Sequence, residues 1–217
     1  MENTVKKSKF ETVVTPEFRM SFPYLFTPQL PLGETDEKKA KYSVTMLFPP
    51  GTDITPLKKL AISAGVAKWG PDQTKWPKFK HPLFRSGGEE GKKDAPGYGP
   101  GVVFCTAKSG AYSRKSGQKN SAPGVIGPDK QIIMDPNEIY GGCYGHAKIN
   151  AYAYEHPIGG KGISFGLISV MKTRDGEPFG SKNKPENDFD GIEAPKVAPL
   201  TSGAETGGGT DDGGLGL

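Results

Sequence analysis

The fold of this chain is decided by the stretch GHAKINAYAYEHPIGGKGISFGLISVMK, residues 145–172. In its first ten residues, small or branched apolar side chains alternate with larger polar or aromatic ones. Because successive side chains of a strand point to opposite faces, this alternation predicts a strand with a small apolar face. The opposite face carries His146, Lys148, Asn150, Tyr152 and Tyr154.

A turn and a second apolar run follow this strand. Residues 156–162 are rich in glycine, and residues 163–172 are rich in β-branched and apolar side chains, so the two runs are predicted to pair as a β-hairpin. Two interpretations of the tyrosines are open. Their rings stack, beside positive charge, on the unpaired bases of a single-stranded nucleic acid, or they lie under a loop or a second sheet as part of the core.

Length and composition set the class of protein. The chain has 217 residues, enough for one well-buried domain with a tail, and its 31 glycines and 20 prolines indicate frequent turns. Its two cysteines, Cys105 and Cys143, are expected to be buried free thiols in a reducing compartment. We find no signal peptide and no apolar run long enough for a membrane helix, so we expect a protein that is not bound to a membrane.

Charge is distributed unevenly along the chain. Residues 186–217 carry seven acidic side chains against one lysine, a local charge of −6, so the net charge of +4 leaves +10 on residues 1–185. A basic body with an acidic, glycine-rich end is typical of proteins that bind polyanions. We therefore predict two domains: a folded, nucleic-acid-binding domain over residues 1–185 and a disordered tail over residues 186–217.

Strands dominate the rest of the chain. Residues 9–28 are predicted to be extended with a break at Pro16, and residues 39–48 and 101–108 alternate as strands do. One helix is predicted from an N-cap at Thr55 to about Lys68. Residues 71–100 form a long irregular loop, either functional or attached to the core by its aromatic side chains. About five to seven strands and one packing helix predict a mainly β fold, an oligonucleotide-binding (OB) barrel of five strands with extra strands and loops, with a β-sandwich as the alternative.

Catalytic and metal-binding patterns are not recognised. Cys143 and His146 have the spacing of metal ligands, but a structural zinc site needs four ligands. The glycine pairs do not match a phosphate-binding loop, and no nucleophile, base and acid follow in a recognisable order. We expect no metal, no cofactor and no enzymatic activity.

Five segments of the sequence resemble a family of bacteriophage single-stranded DNA-binding proteins, formerly described as a domain of unknown function. They are RMSFPYLF (residues 19–26), KYSVTMLF (41–48), DPNEIYGGCY (135–144), FGL (165–167) and RDGEPFG (174–180), and the resemblance runs from about residue 9 to residue 190. It implies an OB-fold, sequence-independent binding of single-stranded DNA, and a role in phage DNA replication, recombination or repair in the cytoplasm of the infected bacterium.

The resemblance also implies an acidic C-terminal tail that recruits replication or recombination proteins. Here the tail ends in TDDGGLGL, which lacks the dense acidic run and the terminal phenylalanine of such proteins. Two other functions are left open by the residues: a phage structural or assembly protein with a β-rich body, and an RNA-binding OB module. The sequence leaves the oligomeric state open.

Specific side chains are predicted to contact the nucleic acid. Tyr152 and Tyr154 are expected to stack on bases, and Lys148 is expected to contact phosphate. Further candidates for phosphate binding, together with two from the long loop, are Lys41, Lys108, Arg114, Lys115, Arg85 and Tyr98.

Overall fold

The computed structural model describes residues 11–157 and 160–180 of the chain. The strands in chain order are β1 (Thr12–Val14), β2 (Phe18–Gln29), β3 (Lys41–Phe48), β4 (Arg85–Ser86), β5 (Val103–Gly110), β6 (Gly124–Ile126), β7 (Tyr144–His156) and β8 (Gly160–Arg174). A single α-helix within these residues, α1 (Thr55–Trp69), follows β3. Short 3-10 turns lie at Glu37–Lys39, Gln73–Lys75 and Pro136–Glu138. The predicted tail lies outside the described residues, and the domain boundary at residue 185 stays a prediction.

The strand pairings close into a ring. β7 and β8 form the predicted antiparallel hairpin, with pairing from Tyr144 opposite Arg174 to His156 opposite Gly160. β7 also pairs with β2, β2 with β3, β3 with β5, and β5 in parallel with β8. Because the last strand of this series returns to the first, β2, β3, β5, β8 and β7 form a five-stranded barrel. The predicted OB-fold is confirmed, and all eight strands lie in one sheet.

Three short strands extend the barrel. β1 pairs with the middle of β7, β6 pairs in parallel with β8, and β4 pairs with β5. β1 and β2 are separated at Thr15–Glu17, as the proline predicted. The buried Thr15 hydroxyl accepts a hydrogen bond from the Ala147 amide (3.0 Å). The segment between β1 and β2 therefore also holds β1 on the hairpin.

The barrel interior is filled by one face of each strand. β7 contributes Ala147, Ile149 and Ala151, which are buried as the alternation predicted. Along β8, Ser169 lies opposite Lys148 and Leu167 lies opposite Ile149, which leaves Ile168 without a partner. This β-bulge reverses the alternation of the strand, so that both Phe165 and Val170 point inward.

Helix α1 packs against β7 and β8 through Leu57, Leu60 and Ala61. Its predicted N-cap at Thr55 is wrong by one residue, since Ile54 is the N-cap and Thr55 is the first helical residue. The physical reason is Asp53, whose carboxylate accepts the Thr55 amide hydrogen bond at 2.9 Å and turns the chain before the helix begins.

The long loop after α1 is attached to the helix by a cluster of three aromatic rings. Trp76 and Phe79 lie 5.8 and 5.4 Å from Trp69 between ring centroids. The Trp76 indole donates to the Gly70 carbonyl (2.8 Å), and its ring occupies the space in which a Cβ at Gly65 would clash. Trp76 and Phe79 therefore attach the loop to the core.

Candidate nucleic-acid interface

The outer face of β7 carries the side chains that the alternation assigned to it. Lys148 is exposed, Tyr152 retains 37% of its accessible surface, and Tyr154 is half-buried. Neither ring belongs to the buried core, and Tyr154 lies beside His81 and Leu83 of the long loop. Both tyrosines are directed to the outside of the barrel.

Small residues on β8 let these side chains lie across the sheet. Tyr154 lies opposite Gly162 and Asn150 lies opposite Gly166. A Cβ at position 162 would approach the Tyr154 hydroxyl oxygen to 2.8 Å, and a Cβ at 166 would clash with the Asn150 carbonyl oxygen. The glycine at position 162 thus leaves the space across β8 that the Tyr154 ring occupies.

The neighbouring strands β3 and β5 present a polar outer face. Ser43 lies opposite Lys108, and Thr45 lies opposite Thr106, with their hydroxyl oxygens 3.0 Å apart. In the order of an OB barrel, β3 and β5 are its second and third strands, the face on which such barrels bind oligonucleotides. The alternation of residues 41–48 predicts that Ser43 and Thr45 share one face of the strand, although a hydroxyl by itself does not predict binding.

Three cations gather on this face. Burial lowers the pKa of the Lys41 ammonium, and the adjacent charges of Lys108 and Arg114 lower it further. Among the residues that the structure describes, none of the three forms an ion pair. A phosphate among these cations would relieve their mutual repulsion.

A cleft lies between Lys108 of the cation face and Tyr154 of β7. Its volume is about 280 Å³, and Lys108, Tyr154 and Arg85 line it from three separate segments of the chain. Thr106 and Ser164 form part of its floor. The structure thus brings three of the predicted binding residues to one place.

Arg85 and Tyr98 have partners within the protein. The Arg85 guanidinium lies 5.0 Å from the centre of the Phe104 ring and forms an ion pair with Glu89 (2.8 Å). Tyr98 packs edge-on against Phe104 at 5.2 Å, and its hydroxyl lies 3.2 Å from the Ser21 hydroxyl. Both side chains hold the long loop on the barrel, and their contact with nucleic acid stays a prediction.

Arg114 and Lys115 lie on an exposed hairpin that follows β5. Tyr112 and Lys119 pair across it, and the Ser113 hydroxyl accepts the Lys115 amide hydrogen bond at 3.3 Å. Lys119 is a third cation of the same hairpin, and it lies close to Arg114 and Lys115 in the sequence.

The described part of the chain gives little support for metal binding or for a membrane-spanning helix. Residues 11–157 and 160–180 contain no group of three or more His, Cys, Asp or Glu side chains placed to hold a metal ion. Cys105 and Cys143 are buried free thiols, as predicted, and burial raises the pKa of both. No helix of this part is long and apolar enough to cross a membrane.

Comparisons with known proteins agree with this geometry. The family model of the single-stranded DNA-binding protein of Enterobacter phage Enc34 matches residues 11–198. The structure of that protein in complex with single-stranded DNA has a TM-score of 0.59 and 27% sequence identity, covering 78% of this chain and 89% of the phage protein. Gp2.5, the single-stranded DNA-binding protein of bacteriophage T7, has a TM-score of 0.56 at 16% identity, covering 79% and 96%, and supports the fold alone. No curated protein sequence matches.

Proposed function

Because the chain belongs to the family of the Enterobacter phage Enc34 single-stranded DNA-binding protein, we propose that it binds single-stranded DNA without sequence preference. It coats and protects single strands during phage DNA replication, recombination or repair, in the cytoplasm of the infected bacterium. The observation that carries this proposal is the group of cations without ion-pair partners in the described residues, Lys41, Lys108 and Arg114, beside the outward tyrosines of β7.

Phosphates supply the affinity in this mechanism. Lys41, Lys108 and Arg114 bind the backbone across β3 and β5, and Lys115 and Lys148 extend the contact on either side. Each neutralised phosphate releases counterions and contributes a slope of about 0.7 to the dependence of log affinity on log salt for a single strand. Five such contacts predict a total slope of about 3.5.

Bases supply the preference for single strands. Tyr152 and Tyr154 offer ring faces over the small residues of β8. Every base has a π-face, so stacking tolerates any sequence, and each stacked base contributes about 1–3 kcal/mol. In a duplex the bases are already stacked and paired, and their faces are not available to these rings.

The protein acts stoichiometrically in this proposal, without a catalytic step. The acidic tail over residues 186–217 lies outside the described residues, and its recruitment of replication or recombination proteins, which the family resemblance implies, is part of the proposal. Because the tail carries negative charge, it also competes with DNA for the cation face.

Fluorescence anisotropy tests the proposal directly. The full chain is titrated into a labelled dT oligomer of about thirty nucleotides over a salt series, with a matched duplex and an rU oligomer as competitors. We expect tight binding that weakens with salt and that the duplex does not displace. Absence of binding at low salt, both for the full chain and for a chain ending at residue 185, contradicts the proposal. Preferential displacement by rU indicates an RNA-binding module instead.

A further inference from the structure

Two exposed aromatic rings lie near the start of β2, on the strand next to the cation face. Phe22 and Tyr24 retain 56% and 38% of their accessible surface. Their ring centroids lie 6.4 Å apart at an interplanar angle of 26°, so the rings are nearly parallel. Single exposed apolar residues are ordinary on protein surfaces, whereas a stacked, solvent-facing aromatic pair points to a binding role.

The backbone at Phe22 is in an unusual conformation. Its φ of +47° lies in the left-handed region, which bulky side chains rarely adopt. The pairing explains why: Ser21 lies opposite Thr45 and Tyr24 lies opposite Ser43, so β2 carries one extra residue there. In such a bulge this position is normally a glycine. A phenylalanine in a strained bulge, with its ring left in solvent, gains little from packing, and strain of this kind is concentrated at functional sites.

The register connects this pair to the rest of the interface. Tyr24 pairs with Ser43, Ser43 with Lys108, Lys108 with Gly166, and Gly166 with Asn150. Paired residues share a face, so these side chains form one row across the outside of the barrel. With neighbouring strands about 4.8 Å apart, Tyr24 lies about 10 Å from Lys108 along the sheet.

We propose that Phe22 and Tyr24 form a second base-stacking platform for the single strand bound by this protein. The inference rests on the proposed function. The strand crosses the barrel with its bases on Tyr152 and Tyr154 at one end and on Phe22 and Tyr24 at the other, and its phosphates lie over Lys41 and Lys108 between them. A nucleic acid fits this surface better than an apolar partner, because the row of side chains that begins at Tyr24 also contains Lys108, which forms no ion pair with any described residue.

Length dependence separates this platform from the first one. Wild type and the variant Phe22→Gly/Tyr24→Ser are compared on dT oligomers of about three nucleotides, too short to reach both platforms, and of about twenty-five nucleotides. A short oligomer is held by the β7 tyrosines and the cations alone, so its affinity changes by less than about twofold. The long oligomer loses the second platform, and its affinity falls at least about tenfold.

Folding of the variant is checked in the same experiment. Glycine adopts a positive φ without strain, so the melting temperature of Phe22→Gly is expected to stay the same or rise. Ile132→Ser removes an apolar side chain after β6 that is more exposed (71%) than either ring and serves as the matched control, with both affinities unchanged.

Cross-linking locates the bases directly. Oligomers carrying 5-iodouracil are irradiated in complex with the wild-type protein and digested with trypsin, which places the two platforms on separate peptides, residues 20–38 and 149–161. We expect cross-links on both peptides with the long oligomer. Tight binding of the long oligomer with no loss in the variant and no cross-link to residues 20–38 overturns the second platform and leaves the proposed function intact. Failure of the wild type to bind either oligomer overturns both.

Discussion

Cations occur in two regions of this barrel, and their environments are opposite. Where β7 meets β2 and the end of β8, Arg174 forms an ion pair with Glu17 (2.9 Å) and Lys172 forms one with Asp175 (2.8 Å). We call this region the closing end. On the outer face of β3 and β5, Lys41, Lys108 and Arg114 form no ion pair with any described residue. The first group satisfies its charge within the protein, and the second leaves it for a ligand.

The pKa values reflect this contrast. Burial lowers the pKa of Lys172, but its hydrogen bond to Asp175 and the charge of that carboxylate outweigh burial and raise it overall. Burial also lowers the pKa of Lys41, and there the neighbouring charges of Lys108 and Arg114 act in the same direction. A cation whose neighbours are cations gains most from a phosphate, whereas one that already has a carboxylate gains little.

Aromatic rings divide in the same way. At the closing end, the Arg174 guanidinium lies 3.4 Å from the centre of the Tyr144 ring, and Arg19 lies 4.4 Å from that of Phe179. These rings are covered by side chains of the protein. On β7, Tyr152 and Tyr154 are paired with Ser164 and Gly162, and neither ring has a cation over it among the described residues. Residue type alone therefore does not identify the interface.

The largest expected effect is on the rings. Tyr152→Ala with Tyr154→Ala is expected to weaken binding of single-stranded DNA at least tenfold and by up to about 10⁴-fold, since two stacked bases contribute about 2–6 kcal/mol. Anisotropy titration measures the affinity, and thermal melting shows little change. Tyr144→Ala is the matched control, with a lower melting temperature and unchanged affinity. If the double variant unfolds instead, its rings belong to the core.

Next in size is the effect of removing the cations that have no ion-pair partner in the described residues. With Lys41, Lys108 and Arg114 all changed to Ala, we expect the salt slope to fall by about 2 and the affinity to fall about a hundredfold near 0.1 M salt. Stability is expected to be kept or raised, because repulsion and the cost of burying Lys41 are both removed. An unchanged salt slope would contradict the assignment of phosphates to this face.

Arg19→Ala is expected to lower the stability of the protein and to leave its affinity for DNA unchanged. Its guanidinium donates to the carbonyls of Gly142 and Glu177 and lies against Phe179. We expect a loss of about 2 kcal/mol in the free energy of unfolding, because the charge-assisted hydrogen bonds disappear together with a packed side chain. Urea unfolding measures the loss, and DNA affinity well below the melting temperature stays at the wild-type value. A drop in affinity without a drop in stability would extend the interface to the closing end.

The smallest effect concerns acid pH. The Arg174 hydrogen bond, followed by that of Thr173, holds the pKa of Glu17 below its ordinary value of 4.5. A carboxyl with a lowered folded pKa stabilises the native state above the unfolded pKa, and this stability is lost as pH falls through the folded pKa. The pair is solvent-exposed, so we expect less than about 1 kcal/mol. Unfolding of wild type and Glu17→Gln at neutral pH and below pH 4 measures it: the difference between them shrinks in acid if the pair is stabilising.

Much of the fold was predictable because it rests on local patterns. The alternation in residues 145–154 and 41–48 identified two barrel strands and their inward faces correctly. The leucines of α1 identified its buried side. These features depend on neighbours a few positions away, and the outward position of Tyr152 and Tyr154 followed from the same period.

The partners of individual side chains were not predictable in this way. The sequence predicts Arg85 and Tyr98 as binding candidates from the long loop, and their packing against Phe104 is visible only in the fold. Phe22 was not chosen at all, because its outward position depends on an extra residue in β2 relative to β3, which appears only once the strands are paired.

The sequence by itself determined that this chain forms alternating strands with a basic, aromatic outer face. Only the tertiary structure decided which cations have a counter-charge, since Glu17 and Arg174 are 157 positions apart and meet only when the ring of strands closes. Alternation is a local property of a pleated backbone and can be recognised in a single segment. Ion pairing depends on the distance between charges, and that distance is set by the pairing of strands from opposite ends of the chain.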